Sequence, residues 1–393
     1  MKTPYFLIKE DELKKNINEF KYALEECWPN SILSYSVKTN SLPWVLKYLK
    51  SYNVYAEVVS DEEYELAKLC GYDDNKIVFN GPIKTAGQLE IALKSSAIVN
   101  IDSKNDLLVM EKNRISNCKR IGIRLNVDTT FFNSDDIGYV EEGFRFGFSE
   151  ENDELVNAIN SIKEMYGEDA RFGIHLHCNS VTRSLDVYKS IAKYAVYIIR
   201  KYDLNPSFID VGGGFFGGVE GKPSAKDYIS TIKDILSSIV DISQTTLILE
   251  PGSAIIGSVV DLYTSVIDVK SIKNARIITT DGSRIHIDPL WSKSKYMYTI
   301  NAKKQDIDRD IQIICGYTCM DHDRIMTLEN EKKLSVGDSI IYHRVGAYSI
   351  TFGGMFIRYY PDVYVLHNDY NEKIRERISV ENYFKIHYVQ SKE

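Results

Sequence analysis

Short apolar runs alternate with amphipathic stretches over the first 250 residues of the chain. The apolar runs are rich in β-branched and aliphatic residues, and each ends at polar or turn-forming residues: Ile32–Val37, Val54–Val59, Ile77–Asn80, Ala97–Ile101, Ile121–Val127, Phe172–His177, Phe208–Gly212 and Leu247–Glu250. This alternation predicts strands separated by helices. Eight strand–helix units in about 225 residues favour a (β/α)₈ barrel, although a doubly wound open sheet has the same strand count.

Start and stop signals support the helical segments between these runs. Ser60 and Glu63 have the spacing of a capping box, and Gly71 lies where a helix C′ glycine is expected. After the first predicted strand, Ser41 is positioned to cap a helix whose first turn contains Pro43.

The pattern changes after Glu250. Helical periodicity largely disappears, and short β-rich runs follow at Val259–Val269, Ala275–Thr280, Ile311–Cys315, Ser339–His343, Val363–Leu366 and Tyr383–Val389. We therefore predict a barrel over residues 25–253 and a mostly β domain over 254–393, which residues 1–24 join.

Composition narrows the kind of partner. The 393 residues carry a net charge of −7 that is spread without long runs, so neither a nucleic-acid surface nor a polybasic membrane patch is expected. The sequence shows no secretory signal or membrane span, and its six cysteines form no CxxC pair. These features predict a cytoplasmic protein with a small-molecule partner.

Candidate catalytic groups follow four of the predicted strands. Lys38 ends the first, His177 the sixth, Gly212–Gly214 the seventh and Glu250 the eighth. A lone lysine in such a place is more often a surface residue. Together, an amine, a glycine-rich phosphate loop, a flat imidazole and a carboxylate match the requirements of pyridoxal phosphate.

Metal binding is the weaker interpretation of the same region. His175 and His177 point to one side of a strand, but barrels that use such a pair for metal carry it on the first strand, not the sixth. Cys315, Cys319 and His322 have no obvious fourth ligand. No metal site is predicted.

The chain resembles the fold-type III pyridoxal-phosphate-dependent decarboxylases, the family of the diaminopimelate, ornithine and carboxynorspermidine decarboxylases. The resemblance runs over nearly the whole length and is carried by these segments: Ser34–Asn40, Phe144–Phe148, His175–Ser180, Asp210–Gly217, Glu250–Gly252, Cys315–Cys319 and Gly346–Tyr348. It implies the alanine racemase and ornithine decarboxylase type of fold, a TIM-like barrel plus a C-terminal β domain.

The resemblance also implies roles for individual residues. Lys38 would form the Schiff base, His177 would stack on the cofactor ring, and Glu250 would pair with the pyridine nitrogen. Cys319 would protonate the carbanion from across the interface of a homodimer with shared active sites. The remaining cofactor contacts would be Ser180, Gly213, Gly214, Gly252, Ser253 and Tyr348.

Departures from the family pattern concern the substrate. Ser253 stands where the diaminopimelate and ornithine enzymes have arginine, Met320 where the diaminopimelate enzymes have an acidic residue, and Asp288 in place of the arginine for the distal carboxylate. Together with Asp323, Asp288 and Met320 are the candidate substrate contacts.

These departures predict a decarboxylase of an amino-acid-like substrate other than free diaminopimelate. The alternatives are a carboxynorspermidine-type polyamine precursor or a conjugated amino acid. An amino-acid racemase and a non-catalytic pyridoxal-phosphate-binding regulator are further possibilities, and Glu250 disfavours the racemase.

Overall fold

The computed structural model describes residues 1–113, 120–308 and 310–388. The chain divides into two compact units, one of residues 15–255 and one of residues 1–14 with 256–393. Strand β1 (Tyr5–Lys9) and helix α1 (Glu10–Cys27) begin the chain, and the first division falls within α1. Of the features predicted above, Cys118 and the last residue of the predicted strand Tyr383–Val389 lie outside the described residues.

Eight parallel strands close into a barrel in the unit of residues 15–255. They are β2 (Ser31–Ser36), β3 (Tyr55–Val58), β4 (Ile77–Phe79), β5 (Ile98–Ile101), β6 (Ile121–Leu125), β7 (Gly173–Leu176), β8 (Phe208–Asp210) and β9 (Thr246–Leu249). Closure comes from β9 pairing with β2, where Leu33 lies opposite Leu249. The barrel prediction is confirmed, and the open sheet is excluded because no described barrel strand is left as an edge.

Helices follow most of the barrel strands. They are α2 (Pro43–Ser51), α3 (Asp61–Leu69), α4 (Ala86–Lys94), α5 (Lys104–Lys112), α6 (Glu154–Tyr166), α7 (Leu185–Lys201), α8 (Ala225–Leu236) and the short α9 (Ser253–Ile256). The Ser60 hydroxyl caps α3 by accepting from the Glu63 N–H, and Gly71 has φ +89° after its end, as predicted.

One predicted cap is wrong. The residue before Pro43 in α2 is Leu42, which occupies the N-cap position, and its N–H donates to the Asn40 side-chain oxygen at 3.3 Å. Because proline restricts the residue that precedes it to extended conformations, the cap position falls immediately before Pro43. The side chain of Asn40, rather than that of Ser41, therefore accepts a hydrogen bond from the backbone N–H of the N-cap residue.

One large ring in the barrel, that of Phe208, packs where the strands beside it carry glycine instead of a residue with a side chain. Phe208 is buried, and a Cβ built on Gly173 or Gly122 would lie within 2.7 Å of its ring. Both glycines are on the neighbouring strands β7 and β6. The apolar cluster around this ring is made of Val78, Ile98, Phe208 and Ile248.

The second unit is built on a nine-stranded sheet that includes β1. Its other strands are β10 (Val260–Ile272), β11 (Ala275–Thr280), β12 (Met297–Asn301), β13 (Ile311–Cys315), β14 (Arg324–Leu328), β15 (Ser339–His343), β16 (Asp362–Leu366) and β17 (Asn371–Arg375). The order is β14-β13-β11-β10-β1-β16-β17, with β15 pairing β10 and β12. The amino-terminal strand therefore lies inside the sheet, antiparallel to β10 and parallel to β16.

One predicted strand of this unit is a helix. Residues Val380–His387 form α11, capped by the Ser379 hydroxyl, where the sequence pattern predicted a strand from Tyr383. The periodicity of a short aromatic run does not distinguish a helix from a strand. Here the Ser379 cap favours the helix. Strands β12, β14 and β17 were not predicted, and a short helix, α10 (Arg284–Ile287), follows β11. No helix in the described part of the chain is both long and apolar enough to cross a membrane.

We expect Gly173→Ala to destabilise the protein by about 1–3 kcal/mol, because the added methyl would lie 2.2–2.4 Å from carbons of the Phe208 ring. Urea unfolding followed by circular dichroism should show a lower midpoint.

Gly87→Ala is the matched control, since Gly87 lies in α4 with nothing within 4 Å of a built Cβ. This change should be neutral or stabilise by up to about 1 kcal/mol. An unchanged midpoint for Gly173→Ala would contradict the proposed close packing around Phe208.

Candidate functional site

The candidate site lies at the carboxyl ends of the barrel strands. Lys38 lies in the 3₁₀ turn Val37–Thr39 that directly follows β2, and Glu57 lies on β3. Asn80, His177 and Glu250 are the first residues after β4, β7 and β9. Parallel strands of a barrel present these ends on one rim, so residues far apart in sequence meet there.

A buried carboxylate holds the Lys38 amine. The Lys38 Nζ donates to the two carboxylate oxygens of Glu57 at 3.0 and 3.3 Å. The Glu57 side chain is 1% exposed, whereas that of Lys38 is 43% exposed. Glu57 also accepts from the Ser36 hydroxyl at 2.6 Å. The buried Glu57 carboxylate therefore holds the Lys38 amine in place, while the Lys38 side chain stays accessible at the rim.

Asn80 joins this pair to Glu250. Its side-chain N–H groups donate to Glu57 at 3.1 Å and to Glu250 at 2.6 Å. Its oxygen accepts from Asn100 at 2.8 Å, and Asn100 also donates to Asp210 at 3.1 Å. Hydrogen bonds thus run without a break from Lys38 through Glu57 and Asn80 to Glu250.

Sequence reasoning missed Glu57 and Asn80 as site residues. The available signal was a polar residue in or directly after an apolar strand, where an unpartnered carboxylate or amide would be unfavourable. Nothing in the sequence indicates that the two side chains meet.

Glu250 and Asp210 form a buried acidic pair. Burial, the Asp210 carboxylate and then Glu57 raise the pKa of Glu250 well above its ordinary value, and burial raises the pKa of Asp210 to about 7. Two carboxyl groups this close in a dry site retain a proton at neutral pH. The Asp210–Glu250 pair therefore shares one proton at neutral pH.

His175 lies beside this acidic pair. Its Nε2 is 3.8 Å from a Glu250 oxygen, and burial lowers its pKa well below the ordinary value. One atom each of His175, Asp210 and Glu250 could be enclosed within 4.8 Å, a donor set that a metal accepts. Both carboxylates are already hydrogen-bonded, to Asn100, Gly212 and Asn80.

His177 is held as a neutral ring. Desolvation, followed by the charges of Arg124 and Lys38, lowers the pKa of His177 to about 3. Gly212, at φ +66°, packs against it, and a Cβ there would lie 2.5 Å from the His177 Nδ1. A flat uncharged imidazole therefore lies at the rim next to the glycine-rich loop.

The glycines of the predicted phosphate loop pack closely against neighbouring protein atoms. A Cβ on Gly213 would lie 2.4 Å from the Glu250 carbonyl oxygen, and one on Gly252 would lie 2.0 Å from the Thr39 hydroxyl. Gly214 has φ +91°, and the Tyr188 hydroxyl donates to the Gly213 carbonyl at 2.8 Å. The loop conformation thus depends on glycine and brings bare backbone to the rim.

Ser180 and Ser253 are connected by one arginine. The Arg183 N–H donates to the Ser180 hydroxyl at 2.7 Å, and the Arg183 Nη1 donates to the Ser253 hydroxyl at 3.2 Å. Two of the predicted cofactor residues in the barrel thus bind one arginine, Ser180 at the arginine's backbone N–H and Ser253 at its side chain, and Gly252 directly precedes Ser253.

A cleft of about 550 Å³ opens beside Lys38 and His177. Its lining includes both signs of charge: Arg145 on one side, and Asp61 and Glu62 at the start of α3. The guanidinium of Arg145 lies 4.4 Å from the centre of the Phe146 ring and is exposed. A zwitterionic group could therefore be bound at the mouth of this cleft.

The predicted catalytic residue Cys319 and two predicted substrate residues, Met320 and Asp323, belong to the other unit. Cys319 is exposed in the turn between β13 and β14, and Met320 follows it. Asp323, in the same turn, is buried and accepts from the hydroxyls of Thr318 and Ser283 at 2.6 and 2.9 Å. Asp323 therefore stabilises its own turn, and its contact with a substrate stays a prediction.

Asp288 is similarly occupied within its unit. Its carboxylate accepts from the Arg284 guanidinium at 3.0 Å, from the Tyr296 hydroxyl at 3.0 Å and from the Lys293 N–H at 3.0 Å. The side chain is 2% exposed. A direct contact of Asp288 with the substrate thus stays a prediction, and so does a cofactor contact by Tyr348, which has φ +59°.

Comparisons with known proteins agree with these features. The sequence model described as "Pyridoxal-dependent decarboxylase, pyridoxal binding domain" matches residues 10–257. The "Probable diaminopimelate decarboxylase, chloroplastic" of Oryza sativa subsp. japonica is 27% identical over 98% of this chain and 79% of its own length. The L-glutamyl-(BtrI acyl-carrier protein) decarboxylase of Niallia circulans is 24% identical over 91% of this chain and 87% of its own.

A solved structure shows the same architecture. The diaminopimelate decarboxylase of Helicobacter pylori, complexed with L-lysine, matches with a TM-score of 0.78 and 25% sequence identity. The match covers 98% of this chain and 97% of that one.

The acidic pair predicts a pH dependence of stability for the cofactor-free protein. Because the folded-state pKa of Asp210 is raised from 3.8 to about 7, its stabilising contribution is complete below about pH 4 and is lost as the pH rises through 7. The lowered pKa of His177 makes stability rise with pH only up to about 6.5. Thermal unfolding midpoints should therefore fall from pH 6.5 to pH 8, and Asp210→Asn should flatten that fall.

Asp227→Asn serves as the control, because the hydrogen bonds of Ser224 lower the pKa of this exposed capping carboxylate. It should lower the midpoint equally at every pH in that range. Burial also raises the pKa of Glu63 to about 7. Glu63 therefore accounts for part of the fall in unfolding midpoint that remains in the Asp210→Asn variant. An undiminished slope in Asp210→Asn would contradict the assignment.

Proposed function

Because the chain belongs to the family of pyridoxal-dependent decarboxylases, we propose that it removes the α-carboxylate of a diamino acid of the diaminopimelate type. It is a carboxy-lyase with pyridoxal phosphate as its cofactor. When bound, that cofactor accepts into its ring the electrons left by the departing carboxylate.

The residues on the barrel rim fit this cofactor. Lys38 supplies an amine whose proton Glu57 can accept or return at 3.0 Å. The neutral ring of His177 would cover one face of the cofactor. Gly213 and Gly252 lie so close to neighbouring protein atoms that a Cβ would clash there, so both present backbone without a side chain, as a phosphate cradle requires. The phosphate contacts would be Ser180, Gly213, Gly214, Gly252 and Ser253.

Glu250 is suited to hold the pyridine nitrogen. Its raised pKa keeps a proton between it and Asp210, and Asn80 fixes its orientation at 2.6 Å. A protonated pyridine is the stronger electron acceptor, which favours decarboxylation over racemisation. Protonation of the product by Cys319, the phosphate contact of Tyr348, a homodimer with shared sites and a cytoplasmic location stay predictions.

The observation that carries the substrate class is the mixed charge at the mouth of the cleft. Arg145 can pair with a distal carboxylate, while Asp61 and Glu62 can pair with a distal ammonium. Diaminopimelate carries both groups at its far end. The expectation that free diaminopimelate is not the substrate fits poorly with the relatives named above, and Arg145 offers a cation that Asp288 does not.

A conjugated amino acid is the second candidate. Asp288, in place of the family's arginine, is bonded within its own unit to Arg284. A substrate whose distal carboxylate is joined to a carrier would need no such arginine. The relative that acts on a carrier-bound glutamate supports this alternative.

The test is carbon dioxide release by the purified, cofactor-loaded protein. Diaminopimelate should release carbon dioxide, and ornithine, arginine, carboxynorspermidine and carrier-bound glutamate are the competing substrates. Release from carrier-bound glutamate alone would favour the second candidate and contradict the first.

Lys38→Ala separates the cofactor from the substrate question. The wild-type protein should show the visible absorbance of a lysine-bound cofactor, and the variant should lose both the colour and the activity. A colourless wild-type protein that yields no pyridoxal phosphate on acid release would contradict the whole proposal.

Arg145→Gln tests the charged mouth of the cleft. Loss of a charged hydrogen bond should raise KM for diaminopimelate about tenfold or more, with a smaller change for ornithine, which has no distal carboxylate. Arg200→Gln, at an exposed position in α7, is the control and should change neither value. Equal effects of Arg145→Gln on both substrates would contradict the pairing.

A further inference from the structure

We propose that Arg183 is the cation that binds the cofactor phosphate. This inference rests on the proposed use of pyridoxal phosphate and names a residue in the loop between β7 and α7 that the sequence did not single out. Four features support it: a fixed backbone, two contacts that place the guanidinium, an unneutralised charge and the chemistry of the surrounding loops.

The backbone of Arg183 is held in a conformation that an arginine rarely adopts. Its φ is +54°, in the left-handed region. Its N–H donates to Ser180 at 2.7 Å, and its carbonyl accepts from the buried Tyr228 hydroxyl at 2.7 Å. Strain of this kind persists only where neighbouring groups enforce it, which gives the side chain a defined starting point.

The guanidinium is placed by two contacts. Its Nη1 donates to the Ser253 hydroxyl at 3.2 Å, and its carbon lies 5.7 Å from the centre of the Phe216 ring. Ser253 follows Gly252, and Phe216 comes two residues after Gly214. Both contacts thus attach Arg183 to the two glycine-containing segments that bring bare backbone to the rim.

The charge of Arg183 is not neutralised by protein. Among the residues that the structure describes, no carboxylate lies within 4.0 Å of this guanidinium, although the side chain is partly buried. Arg124, by contrast, is paired with Asp102 at 2.7 Å. A partly buried cation without a carboxylate partner favours an anionic ligand.

The chemistry of the loops identifies that anion. Backbone N–H groups of a glycine loop can surround a phosphate, but they do not balance its two negative charges. An arginine fork binds two phosphate oxygens at once and adds the missing charge. Lys38 is engaged by Glu57. Among the groups of the two glycine-containing segments, Lys222 contacts only the Phe216 ring, with its amine 5.2 Å from the ring centre.

The experiment compares pyridoxal phosphate with pyridoxal, which lacks the phosphate. Dissociation constants are measured by titrating each into the cofactor-free full-length chain and recording the visible absorbance of the Lys38-bound form. Arg183→Ala should weaken pyridoxal phosphate binding by about tenfold or more, because a charged hydrogen bond is lost. Pyridoxal binding should change less than about twofold.

Two further variants distinguish binding from structure. Lys222→Ala, which removes the other cation at Phe216, should leave both constants unchanged. The double variant Arg183→Ala with Ser253→Arg places the cation on the other residue of the 3.2 Å contact between these two side chains. It should restore part of the lost preference for pyridoxal phosphate over pyridoxal.

Equal weakening of both ligands by Arg183→Ala, or no change in either, would overturn the proposal. Failure of the wild-type protein to bind pyridoxal phosphate would instead overturn the proposed function, so the two failures are distinguishable.

Discussion

The active rim depends on the hydrogen bonds by which Asn80 holds two buried carboxylates. A closed parallel barrel brings the ends of β2, β3, β4 and β9 together, and with them Glu57 and Glu250. Buried carboxylates are unfavourable unless they are hydrogen-bonded or paired. Asn80 donates to both, at 3.1 and 2.6 Å, while its oxygen accepts from Asn100. Without this amide, the barrel geometry would leave the carboxylates facing each other without a shared donor.

This network gives the two ends of the proposed cofactor site opposite properties. At one end, the Lys38 amine donates to the buried Glu57 carboxylate at 3.0 Å. At the other end, Glu250 and Asp210 retain a proton because burial raises both pKa values and the Asp210 carboxylate raises that of Glu250 further. Between them, His177 stays neutral. An amine, an uncharged ring and a proton donor are the groups that pyridoxal phosphate needs, and they arise from one set of packed side chains.

The residues of the second unit show that a departure from a family motif can have partners within its own unit. Asp288, a candidate substrate contact in place of the family's arginine, has a carboxylate that binds Arg284, Tyr296 and the backbone of its own loop. Asp323 similarly ties its turn to Ser283. A charged residue in a motif can thus be retained for folding, and the charge that a substrate meets can come from another part of the chain, as we propose for Arg145.

The sequence by itself determined the eight barrel strands, because their apolar runs end at polar and glycine-rich turns that local periodicity reveals. It also indicated Lys38, His177 and Glu250, since each directly follows a strand. It did not determine α11, where capping by Ser379 overrode an aromatic run typical of a strand. Glu57, Asn80 and Arg183 could not be found either, because the partners of their side chains are between 19 and 170 residues away along the chain. Only barrel closure, a tertiary event, brings such partners within hydrogen-bonding distance.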